Sequence, residues 1–170
     1  AYALEQDLRL AGRGFGGAES SALGCDLAVH VEHASPKAFS FTLAPLRIVD
    51  GADGAPDEIH VFYGNSPVRV SHDWVVHHSA DATGVTNRGG FLVGDKVLMA
   101  RDADNCAMAE ITARDAADQT VFAHDGTPYT SSYASGVTTP TMNGDAGVAP
   151  RALEGGPIFC MGPAPRVDAW

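Results

Sequence analysis

Seven histidines and three cysteines are the residues of this chain best equipped to bind a metal, move a proton or attack a carbonyl. Their spacing limits that chemistry. His30 with His33, and His77 with His78, are close in sequence, but neighbours at odd spacing on a strand point to opposite faces, so neither pair converges without another ligand. These imidazoles read as solvated surface groups. Cys25, Cys106 and Cys160 are widely spaced and form no CxxC pair, which removes the zinc ribbon and the thioredoxin-type motif. In an exported protein the simplest arithmetic is one disulfide and one leftover thiol, and Cys106, opening a strand, reads as half of a disulfide before it reads as a nucleophile.

The remaining motifs are also poor in catalytic content. Asp50 to Gly54 followed by Asp57, and Asp102 with Asp104 and Asn105, offer oxygen ligands but lack the spacing and terminal glutamate of a calcium loop, so both read as polar turns. No GxSxG elbow, P-loop, HExxH or GxGxxG occurs, and the glycine-rich run from Gly12 to Gly17 follows a helix and not a strand. No residue is therefore assigned to catalysis, cofactor or metal binding, and no cofactor is expected. Tyr129 and Tyr133, in a Ser/Thr-rich loop, are candidates for a recognition surface, with ordinary anchoring as the alternative.

The elements that position these residues are mostly strands. Leu27, Val29 and Val31, then Phe39, Phe41 and Leu43, then Ile59, Val61 and Tyr63 alternate with polar neighbours, as half-buried antiparallel strands with one wet face do. Phe91 to Arg101 and Cys106 to Thr112 read as a hairpin turned by Asp102 to Asn105. Thr127 to Gly156 reads as long loops with a short strand near Tyr129 to Tyr133, and Pro157 to Trp170 as a strand pair interrupted at Gly162 and Pro163. Ahead of them all, Leu4, Leu8 and Ala11 fall on one face of a short helix stopped by Gly12 and Gly14. Eleven residues are too few to hold a helix alone, so this segment either docks on a core or continues an N-terminal part that precedes Ala1.

The chain has 170 residues, about one domain, with 21 acidic against 11 basic residues and a formal net charge of -10. That balance disfavours nucleic acid or an anionic membrane as its main partner. No apolar run approaches the ~18 residues of a membrane span, and Ala1 opens no signal-peptide pattern.

In order along the chain, four stretches resemble the PilW-type minor pilins of type IV pili. Leu4-Glu5-Gln6-Asp7-Leu8-Arg9-Leu10-Ala11-Gly12 is similar to the end of that family's N-terminal helix, and Asp57 to Gly64 to its strand after a glycine and aspartate loop. Gly90 to Leu98 with Cys106 to Thr112 is similar to its "GD-x-V" hairpin, and Ile158 to Gly162 with Pro165 to Val167 to its "L-G" turn. The resemblance implies an α+β, pilin-like fold, in which the C-terminal end of an N-terminal helix (1–14) packs through Leu4, Leu8 and Ala11 on an antiparallel sheet with long loops (15–170). The segments near Leu27, Phe39, Ile59, Val97 and Ala107 build that sheet.

It further implies a disulfide between Cys25 and Cys106, with Cys160 left over. The implied role is a non-enzymatic minor pilin, whose partners are other minor pilins and the major pilin and which helps initiate or cap assembly. An apolar helix of roughly 20 residues, absent from this sequence, would anchor it in the inner membrane facing the periplasm before it joins the pilus. The family also continues past the turn at Met161 and Gly162, so truncation at both ends is expected. A type II secretion minor pseudopilin is a close cousin. The alternative from another class is an exported β-sandwich binding module or adhesin fragment, with Thr127 to Gly156 as its ligand loop.

Overall fold

The computed structural model describes residues 2–15, 23–30, 38–144 and 152–170. The glycine-rich turn beyond Phe15, the expected strand residue Val31, His33, and part of the expected ligand loop (145–151) lie outside those residues. Helix α1 (Tyr2–Leu10) is followed by β1 (Asp26–His30), β2 (Ala38–Thr42), β3 (Leu46–Val49), β4 (Glu58–Tyr63), β5 (Asp73–His78), β6 (Ala82–Val85) and β7 (Lys96–Ala100). Then come β8 (Cys106–Glu110), β9 (Ala113–Arg114), β10 (Val121–Ala123), β11 (Tyr129–Thr130), β12 (Thr138–Thr139), β13 (Pro157–Gly162) and β14 (Arg166–Ala169).

These strands form a nine-stranded sheet in the order β2-β1-β8-β7-β13-β5-β6-β10-β9, a three-stranded sheet β14-β4-β3, and the small pair β11-β12. The β7–β8 hairpin forms with Lys96 opposite Glu110 and Ala100 opposite Cys106. Its turn is held by Asp102, whose Oδ1 accepts the Asn105 N–H at 2.9 Å and the Asp104 N–H at 3.0 Å. The Asn105 side-chain amide donates to the same oxygen, and these bonds draw the Asp102 carboxyl below its usual range.

Both faces of the central strands are buried. On β7, Leu98 and Ala100 join one core with Phe15, Leu43 and Phe62, while Val97 and Met99 join a second core with Phe91, Phe122 and Leu153. On β13, Phe159 and Met161 go to the first core and Ile158 and Cys160 to the second. Strands covered on two sides read as continuous apolar runs, which is why Ile158 to Met161 and Val97 to Ala100 do not alternate.

This arrangement overturns the α+β, pilin-like expectation. The fold is mostly β, the one α-helix among the described residues has no buried residue, and it does not pack across the large sheet. Leu4 and Ala11 are only half-buried and Leu8 is 42 % exposed. The physical reason is that strands and loops already cover both apolar faces of the large sheet, leaving no face for a helix to close. The single expected sheet is also divided, since the Ile59 segment belongs to the three-stranded sheet. Moreover β1 runs parallel to β8, with Ala28 beside Ala107.

Candidate interaction surface

Helix α1 forms locally because Ala, Leu, Glu, Gln and Arg are good helix formers and Arg9 reaches back to Glu5 Oε1 at 2.8 Å. Exposed on both sides, that ion pair adds only a few tenths of a kcal/mol. The helix ends where Gly12 turns to φ +75° and donates its N–H to the Phe62 carbonyl at 2.9 Å. Gly64 N–H then donates to the Arg13 carbonyl at 2.7 Å, and Phe15 is buried with its ring 5.0 Å from that of Phe62. The end of α1 is thereby stapled to β4.

A second attachment runs through Asp7. Its carboxylate accepts the Trp170 indole N–H at 3.0 Å and lies 3.3 Å from the Tyr63 hydroxyl, whose one proton goes to Asp168 at 2.7 Å. The Tyr63 phenol is raised above its ordinary pKa, first by the hydrogen bond to Asp168 and then by burial. Leu46 stands opposite Val61 and Ile48 opposite Ile59, so these residues share the face of the small sheet that carries Tyr63 and meets α1. Leu46 and Ile48 are exposed by 42 % and 61 %, and Trp170 and Leu8 are exposed as well. Leu46, Ile48 and Trp170 thus place large apolar side chains in solvent on the face of the small sheet that meets α1, and Leu8 of α1 is exposed as well.

The other residues singled out in the sequence fall elsewhere. Cys25 and Cys106 are joined in a disulfide with Cα atoms 6.3 Å apart, as the resemblance implied. Cys160 is buried beside Ser66 and Asp95, and burial pushes its thiol up to about 12. Tyr129 is buried and donates its hydroxyl to Glu110 Oε1, and Tyr133, still 38 % exposed, donates to Asp95 Oδ1 at 2.5 Å. Both phenols are spent on internal carboxylates.

Glu110 is the centre of that anchoring. Lys96 Nζ lies 2.6 Å from its Oε1, Met142 N–H donates to its Oε2 at 2.6 Å, and Asn143 bonds its backbone in both directions at 2.9 and 2.8 Å. In the sequence Asp95 and Glu110 stand out only as members of the hairpin motif, and Asn143 not at all. An acidic residue closing an apolar strand, with tyrosines downstream, was the available signal.

The histidines also depart from expectation. His77 is exposed and pairs with Glu154 at 3.4 Å, but His78 is half-buried and His124, which no sequence argument singled out, is wholly buried. His60 bonds Glu58 at 3.0 Å. Among the described residues no group of three or more His, Cys, Asp or Glu side chains is placed to hold a metal ion.

One cleft of about 240 Å³ opens between the two sheets, lined by Phe41, Phe62, Met108, Met142, Pro165 and Val167 among others, with Lys96 as its charged group. Comparison with known proteins adds no relative: no family model, no curated protein and no solved structure matches this chain.

Proposed function

We propose that this chain is the globular part of a non-enzymatic minor pilin, an exported subunit that helps start or cap a type IV pilus through contacts with other minor pilins and the major pilin. The ordered stretches from Leu4 to Val167 support the reading. The structural observation that carries it is the attachment of α1: fastened at Asp7 and Gly12 to the small sheet whose Leu46, Ile48 and Trp170 are exposed, yet leaving Leu8 exposed as well. Large apolar side chains exposed together on one face of a domain mark a protein contact. The Cys25–Cys106 disulfide suits an oxidising compartment, and inner-membrane anchoring before assembly belongs to this same reading.

Deletion of the gene tests it. Loss or shortening of surface pili, restored by the wild-type gene and not by one carrying Leu8→Asp with Ile48→Asp, is the expected result. Pili of normal number and length that still contain the other minor pilins overturn the reading.

The cleft between the sheets favours a second reading, an exported β-domain that binds an apolar group. Its volume of about 240 Å³ and largely apolar lining would take one bulky hydrophobic side chain or a short acyl chain. Normal piliation in the deletion strain, together with ligand-induced shifts confined to Phe62, Met108 and Val167, would favour it.

A further inference from the structure

Three polar side chains from neighbouring parts of the large sheet line up inside it. His78 Nδ1 at the end of β5 and His124 Nε2 just after β10 each lie 2.9 Å from Thr83 Oγ1 on β6, and Met99 Sδ on β7 lies 3.5 Å from the same oxygen. The two imidazoles stack with centroids 5.5 Å apart at 23°. Thr83 and His124 are wholly buried. The outer nitrogens, His78 Nε2 and His124 Nδ1, are buried without a hydrogen-bond partner. Buried polar atoms without partners are rare and call for an explanation.

A hydroxyl has one proton to give, so Thr83 donates to one ring and accepts from the other; the accepting ring loses its Thr83 bond when protonated, while the donating ring keeps its own and gains a second buried N–H without a partner. A proton added to either ring turns its Thr83-facing nitrogen and its outer nitrogen into donors together. With both rings protonated, Thr83 Oγ1 accepts from both and turns its proton to Met99 Sδ, so what opposes the second proton is two like charges one stack apart and two buried outer N–H groups without partners.

The carboxylates around the bridge, Glu154 near His78 and Asp81 near His124, favour the charged rings but do not outweigh burial. His77 is exposed and paired with Glu154, whose Oε1 also accepts the His78 N–H at 3.2 Å. Asp81 holds the Ser79 hydroxyl at 2.8 Å, while its carbonyl accepts the His124 N–H at 2.8 Å. Asp125 holds the Thr112 hydroxyl at 2.9 Å, and Met99 on β7 is neutral. Among the described residues no carboxylate hydrogen-bonds either ring. Burial accordingly lowers both imidazoles, His124 to about 4, with the second ring opposing its charge further.

We propose that the His78–Thr83–His124 bridge is an acid-operated latch: neutral rings hold β10, and with it the edge strand β9, on the large sheet, and proton uptake releases that edge while the centre of the sheet stays folded. The location fits. β10 pairs with β6 through Val121 to Ala123, β9 has β10 as its sheet neighbour, and the bridge sits at the end of that pairing. The centre, by contrast, has a core on each face and a disulfide at its other side. The device would report the acidity of the surroundings in an exported protein by freeing one sheet edge.

Backbone hydrogen exchange on the whole chain at pH 7.0 and 4.5, corrected for intrinsic rates, tests the latch. Protection of Val121 to Ala123 should fall at least tenfold more than that of Val97 to Ala100. His124→Phe, which cannot take up a proton, should lose this difference. Equal loss in both segments, or no loss in the wild type, overturns the proposal. Since the variant could fail to fold, the wild-type rings provide a second readout by NMR: His78 and His124 should titrate below the ordinary imidazole value of about 6.5. A normal midpoint in either ring overturns the latch.

Discussion

Cys25 and Cys106 stand 81 residues apart in sequence, and their disulfide lies next to the place where Ala28 of β1 meets Ala107 of β8 in parallel register. A parallel neighbour cannot be joined by a tight turn, so this seam depends on long-range closure. The disulfide supplies that closure between two cysteines that are both wholly buried.

Replacing both cysteines, Cys25→Ala with Cys106→Ala, should therefore lower the unfolding free energy by about 4 to 5 kcal/mol in the chain-entropy description. Urea unfolding of the two proteins measures it. A change under about 1 kcal/mol would mean that the seam is held by packing alone.

Glu110 anchors the segment after β10 through Tyr129, Met142 and Asn143, and it neutralises Lys96. Tyr129→Phe removes one buried donor and should cost about 1 to 2 kcal/mol. Glu110→Ala leaves a largely buried ammonium unpaired and should cost about 3 to 5 kcal/mol. Thermal unfolding of the two variants should rank them in that order, and proteolysis should show the first cuts between β11 and β12. Equal costs would show that Lys96 finds another partner.

Cys160 carries no disulfide, is buried, and has its thiol pushed up to about 12 by burial first and Asp95 next. A thiol at that value is almost wholly protonated at pH 8 and is a poor nucleophile. A maleimide or disulfide reagent should label the native protein at least a hundredfold more slowly than glutathione, and label one thiol per chain once urea is added. Fast labelling of the native state would place Cys160 in reach of solvent.

Which parts of this were legible in the sequence follows from the range of each signal. The β7–β8 hairpin announced itself locally, through two apolar runs and the Asp102 turn whose side chain folds back on Asn105. Alternation at Ile59, Val61 and Tyr63 gave a strand but not its sheet, because alternation reports a face and not a partner. The parallel pairing of β1 with β8 leaves no local mark at all. Helix α1 shows an amphipathic pattern without the burial that such a pattern ordinarily signals, since Phe15, Leu43 and Phe62 occupy the face it would have covered. Strand β6 and its Thr83 leave no local mark, and His78, paired in sequence with His77, reads as a solvated surface group although it is half-buried against Thr83. His124 stands alone before Asp125 and Gly126, and its burial follows only from where β10 ends.

Asp7 permits a test of whether α1 is part of the domain's stability or an attachment to it. Its carboxylate ties the helix to Trp170 and Tyr63, but no helix residue is buried, and Tyr63 keeps Asp168 as a partner when Asp7 is removed. Asp7→Ala should thus loosen the helix without loosening the fold. In a Trp74→Phe background, which leaves Trp170 as the sole indole, its emission should shift to longer wavelength and the amides of Leu4 to Leu10 should exchange faster. The unfolding free energy should fall by less than about 1.5 kcal/mol, the net worth of the exchanged hydrogen bonds. A loss above about 3 kcal/mol would instead make α1 a structural element whose apolar residues are needed within the domain, and would remove the argument that Leu8 is left exposed for a partner.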